Sequence, residues 1–196
     1  MRQNDYMRVE TAELADVLLF TPEPFRDERG LFTRTFESRL FDSELSKSRQ
    51  NRRVPTRASD FIEDSQSRSN RGVVRGMHGR SGRGEAKLVR CSHGAVFDVL
   101  VDIRRESPTF GVQQAFTLDD VAFALLYVPS GFLHGFQALT PTADVCYRID
   151  REHDPREDIA VAYSDSELAI PWPLPVSHVS TRDAAAGSWS QLMESA

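Results

Sequence analysis

The sequence predicts a mainly β protein, built as a sandwich or barrel from short strands. Short apolar runs recur between residues 61 and 149 and are separated by turns that contain glycine or proline. In the run AVFDVLVDI, the residues Phe97, Val99 and Val101 alternate with Asp98 and Asp102, a period of two that is typical of a half-buried strand. No long helical pattern occurs between successive strands of this region, so the sequence does not predict an α/β protein.

Length and composition indicate one domain, 1–196, that is large enough to bury a core. A hydrophobic content of 40% and a charged content of 27% are ordinary globular values. The formal net charge of −5 gives no reason to expect DNA or RNA as a partner. Since no apolar run reaches membrane-spanning length, we expect no membrane association and a cytoplasmic protein.

Two features of the composition bear on compartment and ligand. Cys91 and Cys146 lie in apolar runs without metal-type spacing, which predicts buried free thiols in a reducing compartment. A local basic cluster interrupts the acidic total, and either a small anionic ligand or a solvated basic face would account for it. The cluster consists of Arg71, Arg75, Arg80, Arg83, Lys87 and Arg90.

The first third of the chain predicts one strand, one turn and one helix. The segment from Val9 to Phe20 reads as a strand that ends at the prolines of TPEPF. Gly30 marks a turn in DERGLFTRTF, after which a strand can continue. From Phe36 to Leu45 the apolar residues fall at helical spacing, and residues 46–60 are polar and proline-interrupted, so we predict an amphipathic helix and then a mobile loop.

The rest of the chain predicts strands and then an irregular end. The expected strands are GVVRGMH, AKLVRC, AVFDVLVDI, QQAFTL, FALLYVP, GFQAL and DVCYRI. After Arg151 the sequence is charged and irregular, the prolines of AIPWPLPV forbid a central strand, and STRDAAAGSWSQLM predicts a short terminal helix. Lys87 shares one strand face with Val89 and Cys91, so its ammonium either snorkels to water or is held in a pocket.

The segment PSGFLHG, residues 129–135, resembles the second half-motif of cupin jelly rolls, in which a turn delivers a histidine into the barrel. Metal-binding cupins carry two further histidines and a glutamate in an earlier segment. Here that segment supplies only His78, so His78, His134 and Glu85 fall short of a three- or four-ligand site. We therefore expect no metal.

Several fragments together resemble the dTDP-4-dehydrorhamnose 3,5-epimerase family, and they run in the family's order over nearly the whole chain. They are DERGLF, RGMH, KLVRC, VFDVLVDIRRESPTFG, VPSGFLHGF, CYR and STRDAAA. The resemblance implies a cupin-type double-stranded β-helix, or jelly roll, with a few short peripheral helices. It also implies a homodimer and an isomerase of deoxysugar (rhamnose-type) biosynthesis that uses no cofactor.

The implied substrate is a dTDP-4-keto-6-deoxyhexose, whose C4 ketone acidifies the protons at C3 and C5. His78 matches the family's catalytic base and Asp183 its carboxylate partner. Tyr147 matches the acid and shares strand parity with inward-facing Val145. Lys87 matches the cation beside the ketone oxygen. Without the resemblance, a packed strand histidine, a helix-capping aspartate and a packing tyrosine are the plainer interpretations.

The resemblance also implies substrate-binding residues and reveals departures from the family's pattern. Arg29 and Arg75 match residues that hold the pyrophosphate or the sugar, which suits planar bidentate donors. His134 matches a supporting residue in the barrel. Glu152 and His153 stand where the family has paired tyrosines, at an expected sugar or thymine contact. The other departures are Glu63, Ser65, Arg34 and Arg80.

These departures leave the exact reaction open. The resemblance favours epimerisation at both C3 and C5, with His78 removing the proton and Tyr147 returning one from the opposite face. A mono-epimerase of a secondary-metabolite pathway, with action at C3 or C5 only, is the nearest alternative. A non-catalytic cupin that binds sugar nucleotides and a metal-dependent cupin oxygenase or isomerase are the others. Sequence alone fixes neither the pathway nor the preferred nucleotide base.

Overall fold

The computed structural model describes residues 6–47 and 57–195, whose strands form two antiparallel sheets packed face to face and a separate short hairpin. The six-stranded sheet has the order β1-β2-β10-β7-β12-β5, and the five-stranded sheet has the order β13-β6-β11-β8-β9. The strands are β1 Met7–Thr11, β2 Leu18–Pro22, β3 Phe25–Asp27, β4 Gly30–Phe32, β5 Glu63–Asn70, β6 Val74–Arg80, β7 Lys87–His93, β8 Ala95–Asp102, β9 Gln113–Asp119, β10 Leu125–Val128, β11 Phe132–Ala138, β12 Thr142–Ile149 and β13 Asp158–Ala160. This arrangement is the predicted cupin jelly roll.

Short helices lie at the periphery: α1 Ser38–Lys47, α2 Thr181–Ala184 and α3 Trp189–Ser195, with 3₁₀ turns at Ala58–Asp60 and Pro155–Glu157. The predicted helix at Phe36–Leu45 is thus confirmed, and it buries Leu40, Phe41 and Leu45. The predicted terminal helix is two helices instead of one. Ser180 caps the first of them, and a bridge between Val161 and Gly187 interrupts helical geometry before the second.

Three apolar clusters hold the layers together. The first lies between the sheets and contains Val89, Leu100 and Val145. The second packs α1 onto the outer face of the six-stranded sheet, and the third packs the C-terminal segment onto the outer face of the five-stranded sheet. Because both outer faces are partly covered, each sheet is buried on two sides over the region that surrounds the barrel interior.

The predicted strands are present, and further strands, among them β5, were not foreseen. The predicted N-terminal strand is a hairpin of β1 and β2, in which Arg8 pairs with Thr21 and Met7 with Pro22, so pairing continues two residues into TPEPF. Strand β5 was not predicted because its sequence, EDSQSRSN, is polar throughout. It occupies the edge of the six-stranded sheet, where it pairs along all of β12.

The strand predicted at AVFDVLVDI is confirmed as β8, but the prediction that it is half-buried was wrong. Asp98 and Asp102 are 0% exposed, as completely buried as the apolar residues between them. Each carboxylate finds partners inside the fold: Asp98 bonds to His134, and Asp102 accepts from Arg104, Ser107 and Thr109. These hydrogen bonds offset part of the cost of burying the two charges, so the alternating pattern marks two buried faces of different polarity.

Two further sequence predictions concern the loop after α1 and membrane association. Most of the predicted mobile loop at 46–60 lies outside the described residues, which resume at Arg57. None of the helices in the described part of the chain has the length and apolar character needed to cross a membrane.

Candidate active site

The candidate site lies between the two sheets, where polar side chains from both sheets face the barrel interior. His78 and His134 come from neighbouring strands of the five-stranded sheet and oppose each other directly in the register of β6 and β11. Lys87 and Tyr147 come from β7 and β12 of the six-stranded sheet, where Lys87 opposes Ile149 and Tyr147 opposes Val89. Directly opposed residues share a sheet face, and Val89 belongs to the cluster between the sheets, so both side chains lie on the interior face.

His78 is hydrogen-bonded to Asp183, the side chain that matches its expected partner. The distance between His78 Nε2 and Asp183 Oδ1 is 2.7 Å. Asp183 is 3% exposed, and its second oxygen accepts a hydrogen bond from the backbone N–H of Gly76 at 3.3 Å. A carboxylate can only accept, so Nε2 of a neutral His78 carries the proton and Nδ1 is left as the basic nitrogen.

The surroundings of His78 favour its neutral form. Burial lowers the pKa of His78 below its ordinary value, and the positive charges of Lys87 and Arg182 act in the same direction. The hydrogen bond and charge of Asp183 raise the pKa but do not outweigh these effects. A neutral imidazole at physiological pH is the form that a general base requires.

Lys87 is held in a pocket and does not snorkel to water. Its ammonium nitrogen lies 3.0 Å from Glu85 Oε1, and its side chain is only 13% exposed. The other oxygen of Glu85 accepts a hydrogen bond from Arg80 Nε at 2.8 Å. Burial alone would raise the pKa of Glu85, but Lys87 and Arg80 outweigh it and hold that pKa below the ordinary range.

Tyr147 lies next to the polar strand that the sequence did not reveal. Its ring packs against the cluster between the sheets and is partly buried. Across β5 and β12 Tyr147 opposes Ser65, one of the departures from the family's pattern, while Ser67 and Ser69 continue the same interior face. A strand that lines a polar interior lacks apolar alternation, which explains why periodicity gave no signal for these serines.

His134 lies deeper in the barrel than His78. It is 8% exposed, and its Nε2 lies 2.8 Å from Asp98 Oδ2. The second oxygen of Asp98 has no hydrogen-bond partner among the described residues. The interior therefore contains two histidine–carboxylate pairs, and the two histidines lie on adjacent strands. The His78 pair is the more accessible to a ligand.

The structure places the two arginines expected to bind substrate differently. Arg75 Nε donates to Ser69 Oγ at 3.0 Å, a contact that crosses from one sheet to the other at the edge of the interior. Arg29 lies in the β3–β4 hairpin, is 83% exposed and bonds to Asp27 two residues away. Within this chain Arg29 is thus on the surface of the hairpin and is not among the residues that face the barrel interior.

Glu152 and His153 follow β12. Glu152 is exposed, and His153 Nε2 lies 3.4 Å from Asp158 Oδ1. The carboxylate of Asp158 also binds Arg182 at 2.6 Å and the guanidinium of Arg80. Neither Asp158 nor Arg182 was singled out from the sequence, since isolated charges in an irregular segment carry no periodic signal. Within the basic cluster seen in the sequence, Arg80 and Lys87 share Glu85, and Arg83 pairs with Asp150.

In residues 6–47 and 57–195, no group of three or more His, Cys, Asp or Glu side chains is arranged to hold a metal ion. Glu85, the third candidate ligand after His78 and His134, is occupied by Arg80 and Lys87. The geometry instead combines a histidine with its carboxylate partner, a cation and a phenol around one interior. This combination suits removal of a proton next to a carbonyl group.

Comparisons with known proteins point to one family. The sequence model of the dTDP-4-dehydrorhamnose 3,5-epimerase family matches residues 11–191. The enzyme of that name from Escherichia coli is 38% identical over 168 residues, which are 85% of each chain. A dTDP-4-dehydrorhamnose 3-epimerase from Streptomyces niveus is 37% identical over 178 residues, 90% of this chain and 81% of its own.

A solved structure shows the same architecture. The 4-keto-6-deoxy sugar epimerase from the novobiocin biosynthetic gene cluster of Streptomyces spheroides superimposes with a TM-score of 0.88 and 35% identity. The alignment covers 97% of this chain and 92% of the other. The sequence match, the fold and the paired His78 and Asp183 lead to one conclusion: the chain belongs to the dTDP-4-dehydrorhamnose 3,5-epimerase family.

Proposed function

We propose that the protein epimerises a dTDP-4-keto-6-deoxyhexose at C3 and C5 during deoxysugar biosynthesis. The observation that carries this proposal is the 2.7 Å pair of His78, on the five-stranded sheet, and Asp183, on α2. Lys87 and Tyr147 face this pair from the six-stranded sheet. A sugar ring held between the sheets would meet a base on one face and a proton donor on the other. Inversion needs this division, because one base alone can only exchange a proton with retention.

In the proposed reaction, Nδ1 of His78 removes the proton from a carbon next to the ketone. Asp183 holds the ring in the correct tautomer and stabilises the imidazolium that forms. The ammonium of Lys87 faces the ketone oxygen, where negative charge develops in the enolate. Tyr147 then delivers a proton from the opposite face. His134, fixed by Asp98, supports His78 from the adjacent strand.

We assign nucleotide binding to Arg75 and Arg29, with Glu152 and His153 as further substrate contacts. Arg75 lies at the edge of the interior, where a guanidinium can meet a diphosphate. Arg29 would require a second subunit, because its hairpin stands on the surface. Phe25 and Phe32 of the same hairpin are 66% and 68% exposed, which favours burial against a partner. We therefore propose a homodimer in which the hairpin of each protomer completes the partner's site.

Two related proposals concern extent of reaction and location. The 3-epimerase among the relatives supports epimerisation at a single carbon as a second candidate function.

A purely binding cupin is disfavoured, because binding alone does not require a histidine and carboxylate held at 2.7 Å with the basic nitrogen free. Free Cys91 and Cys146 support a cytoplasmic location, where thiols stay reduced.

The test is incubation with dTDP-4-keto-6-deoxyglucose in heavy water, followed by mass spectrometry and NMR of the product. Deuterium at both C3 and C5 with inversion is the expected result, and His78→Asn should abolish exchange while the far-ultraviolet circular dichroism stays unchanged. Label confined to one carbon after long incubation would replace the proposal with the mono-epimerase. Absence of exchange at either carbon would refute epimerase activity on this substrate.

A further inference from the structure

A chain of four charged side chains leads from the segment after β12 into the barrel interior. Asp158 binds Arg80, Arg80 Nε binds Glu85 Oε2 at 2.8 Å, and Glu85 Oε1 binds Lys87 Nζ at 3.0 Å. The side chains of Arg80, Glu85 and Lys87 are only 9%, 8% and 13% exposed. Charges so poorly hydrated are not ordinary surface ion pairs, whose contribution to stability is small.

From this arrangement we infer that Arg80 and Glu85 are positioning residues that hold the Lys87 ammonium toward the reacting sugar. The inference rests on the proposed role of Lys87 at the ketone oxygen. Lys87 has three N–H donors, and the bond to Glu85 uses one, so two are left for an enolate oxygen. Glu85 thus fixes the direction of a flexible four-carbon stem that would otherwise sample many rotamers.

Arg80 has a separate task, which follows from charge. Glu85 alone would neutralise Lys87 and weaken its attraction for an enolate. Arg182 balances the charge of Asp158 at a distance of 2.6 Å. Because Arg80 occupies the other oxygen of Glu85, the three side chains Arg80, Glu85 and Lys87 together retain one positive charge. Arg80 is itself fixed by Asp158 and by the backbone carbonyl of Asp154, which accepts from Nη1 at 2.7 Å. This series of contacts therefore fixes the position of the Lys87 ammonium and keeps the site positively charged.

The charge balance yields a test that a purely structural ion pair would not pass. Arg80→Gln leaves the three side chains neutral, Glu85→Gln leaves them doubly positive, and the double variant Arg80→Gln/Glu85→Gln restores the single positive charge. Two glutamines can also maintain a hydrogen-bonded chain from Asp158 to Lys87. We expect each single variant to lower kcat for the heavy-water exchange by roughly 10-fold or more, with KM changed less than about twofold.

We expect the double variant to recover to within about threefold of the unaltered protein, so the two losses are strongly non-additive. Thermal unfolding of each variant gives the folded fraction by which kcat is corrected. If Glu85→Gln does not fold, Glu85→Asp replaces it, because that change keeps the charge but retracts the carboxylate, and a loss in kcat of roughly 10-fold is again expected. Glu44→Gln, which removes an exposed ion pair with Lys47 on α1, is the matched control.

Two results would overturn the positioning role. One is single variants that keep full kcat, and the other is a double variant whose loss is the product of the single losses. Inactivity of the unaltered protein toward dTDP-4-keto-6-deoxyglucose is a different result. It would refute the proposed function and, with it, the role of Lys87 on which the inference rests.

Discussion

Replacing Asp183 with asparagine tests the two hydrogen bonds that the Asp183 carboxylate accepts in the site. Asp183 accepts hydrogen bonds from His78 Nε2 at 2.7 Å and from the backbone N–H of Gly76 at 3.3 Å. Asparagine has one acceptor and one donor end, so it cannot accept both. Since the Gly76 N–H is fixed, the asparagine amide N–H₂ would face His78 and favour the tautomer protonated at Nδ1. That tautomer presents no base to the sugar.

The expected loss follows from these bonds. A hydrogen bond to a charged group contributes about 1.5–3 kcal/mol, equivalent to roughly 10- to 150-fold in rate. Loss of a general base costs about 10²–10⁴-fold. Because Asp183→Asn combines both effects with little change in shape, we expect a fall in kcat of about 10²–10⁴-fold and a folded protein. Deuterium exchange followed by NMR measures the rate, and circular dichroism checks the fold.

A pH profile adds a second, independent readout. Neutral His78 is the active form, so kcat/KM should fall as pH decreases through the pKa of His78, which burial already lowers. The charge of Asp183 raises that pKa, so Asp183→Asn should move the acid limb to lower pH. Asp144→Asn is the matched control, because Asp144 pairs with Arg68 at 2.7 Å away from the interior. Activity within threefold of the unaltered protein, or an acid limb at higher pH, would refute the role of Asp183.

Three further predictions follow from the proposed roles. Lys87→Ala should mainly lower kcat, because the enolate charge exists only during the reaction. Arg75→Ala should mainly raise KM, because the phosphate charge is present before and during the reaction. Equal effects of the two variants on KM would contradict this division of roles. Tyr147→Phe should keep deuterium exchange but lose inversion, and unimpaired inversion would assign the proton to another donor. His78→Ala subunits are inactive, and Arg29→Ala subunits should bind substrate weakly. Mixing the two at a low substrate concentration should restore roughly a quarter of the activity through heterodimers, whereas no recovery would place Arg29 in its own subunit's site or outside any site.

Local patterns predicted those parts of the fold in which apolar residues carry the signal. The helix that buries Phe41 and the inward parity of Tyr147 beside Val145 both follow from spacing. Strand β5 and the burial of Asp98 could not be predicted in this way. In both cases polar groups face an enclosed interior, and their burial depends on partners that only the folded chain supplies.

The pairing of His78 with Asp183 was beyond any local pattern, because 105 residues separate the two. Only the resemblance to the family joined them before the fold was known. The same limit applies to Glu85, which the sequence offered as an incomplete metal ligand. The structure shows Glu85 occupied by two cations, a role that depends on the turn between β6 and β7 and on the segment after β12.

The spacing of Arg75 and His78 gives the clearest case in which regular periodicity misleads. Residues three apart in a regular strand point to opposite faces. In the register, His134 opposes His78 while Phe136 opposes Arg75, so two residues of β6 face the single Gly135 of β11. This bulge restores a common face to Arg75 and His78.

Glycine is needed on both strands for the bulge to form. A Cβ at Gly76 would lie 2.5 Å from the Cα of Gly135, and a Cβ at Gly135 would lie 2.6 Å from Met77 Sδ. Gly76 also has a φ of +125°, a backbone conformation that favours glycine. His78, the proposed base, and Arg75, which we propose binds the diphosphate, can therefore face the same interior only because two glycines allow β6 and β11 to approach so closely.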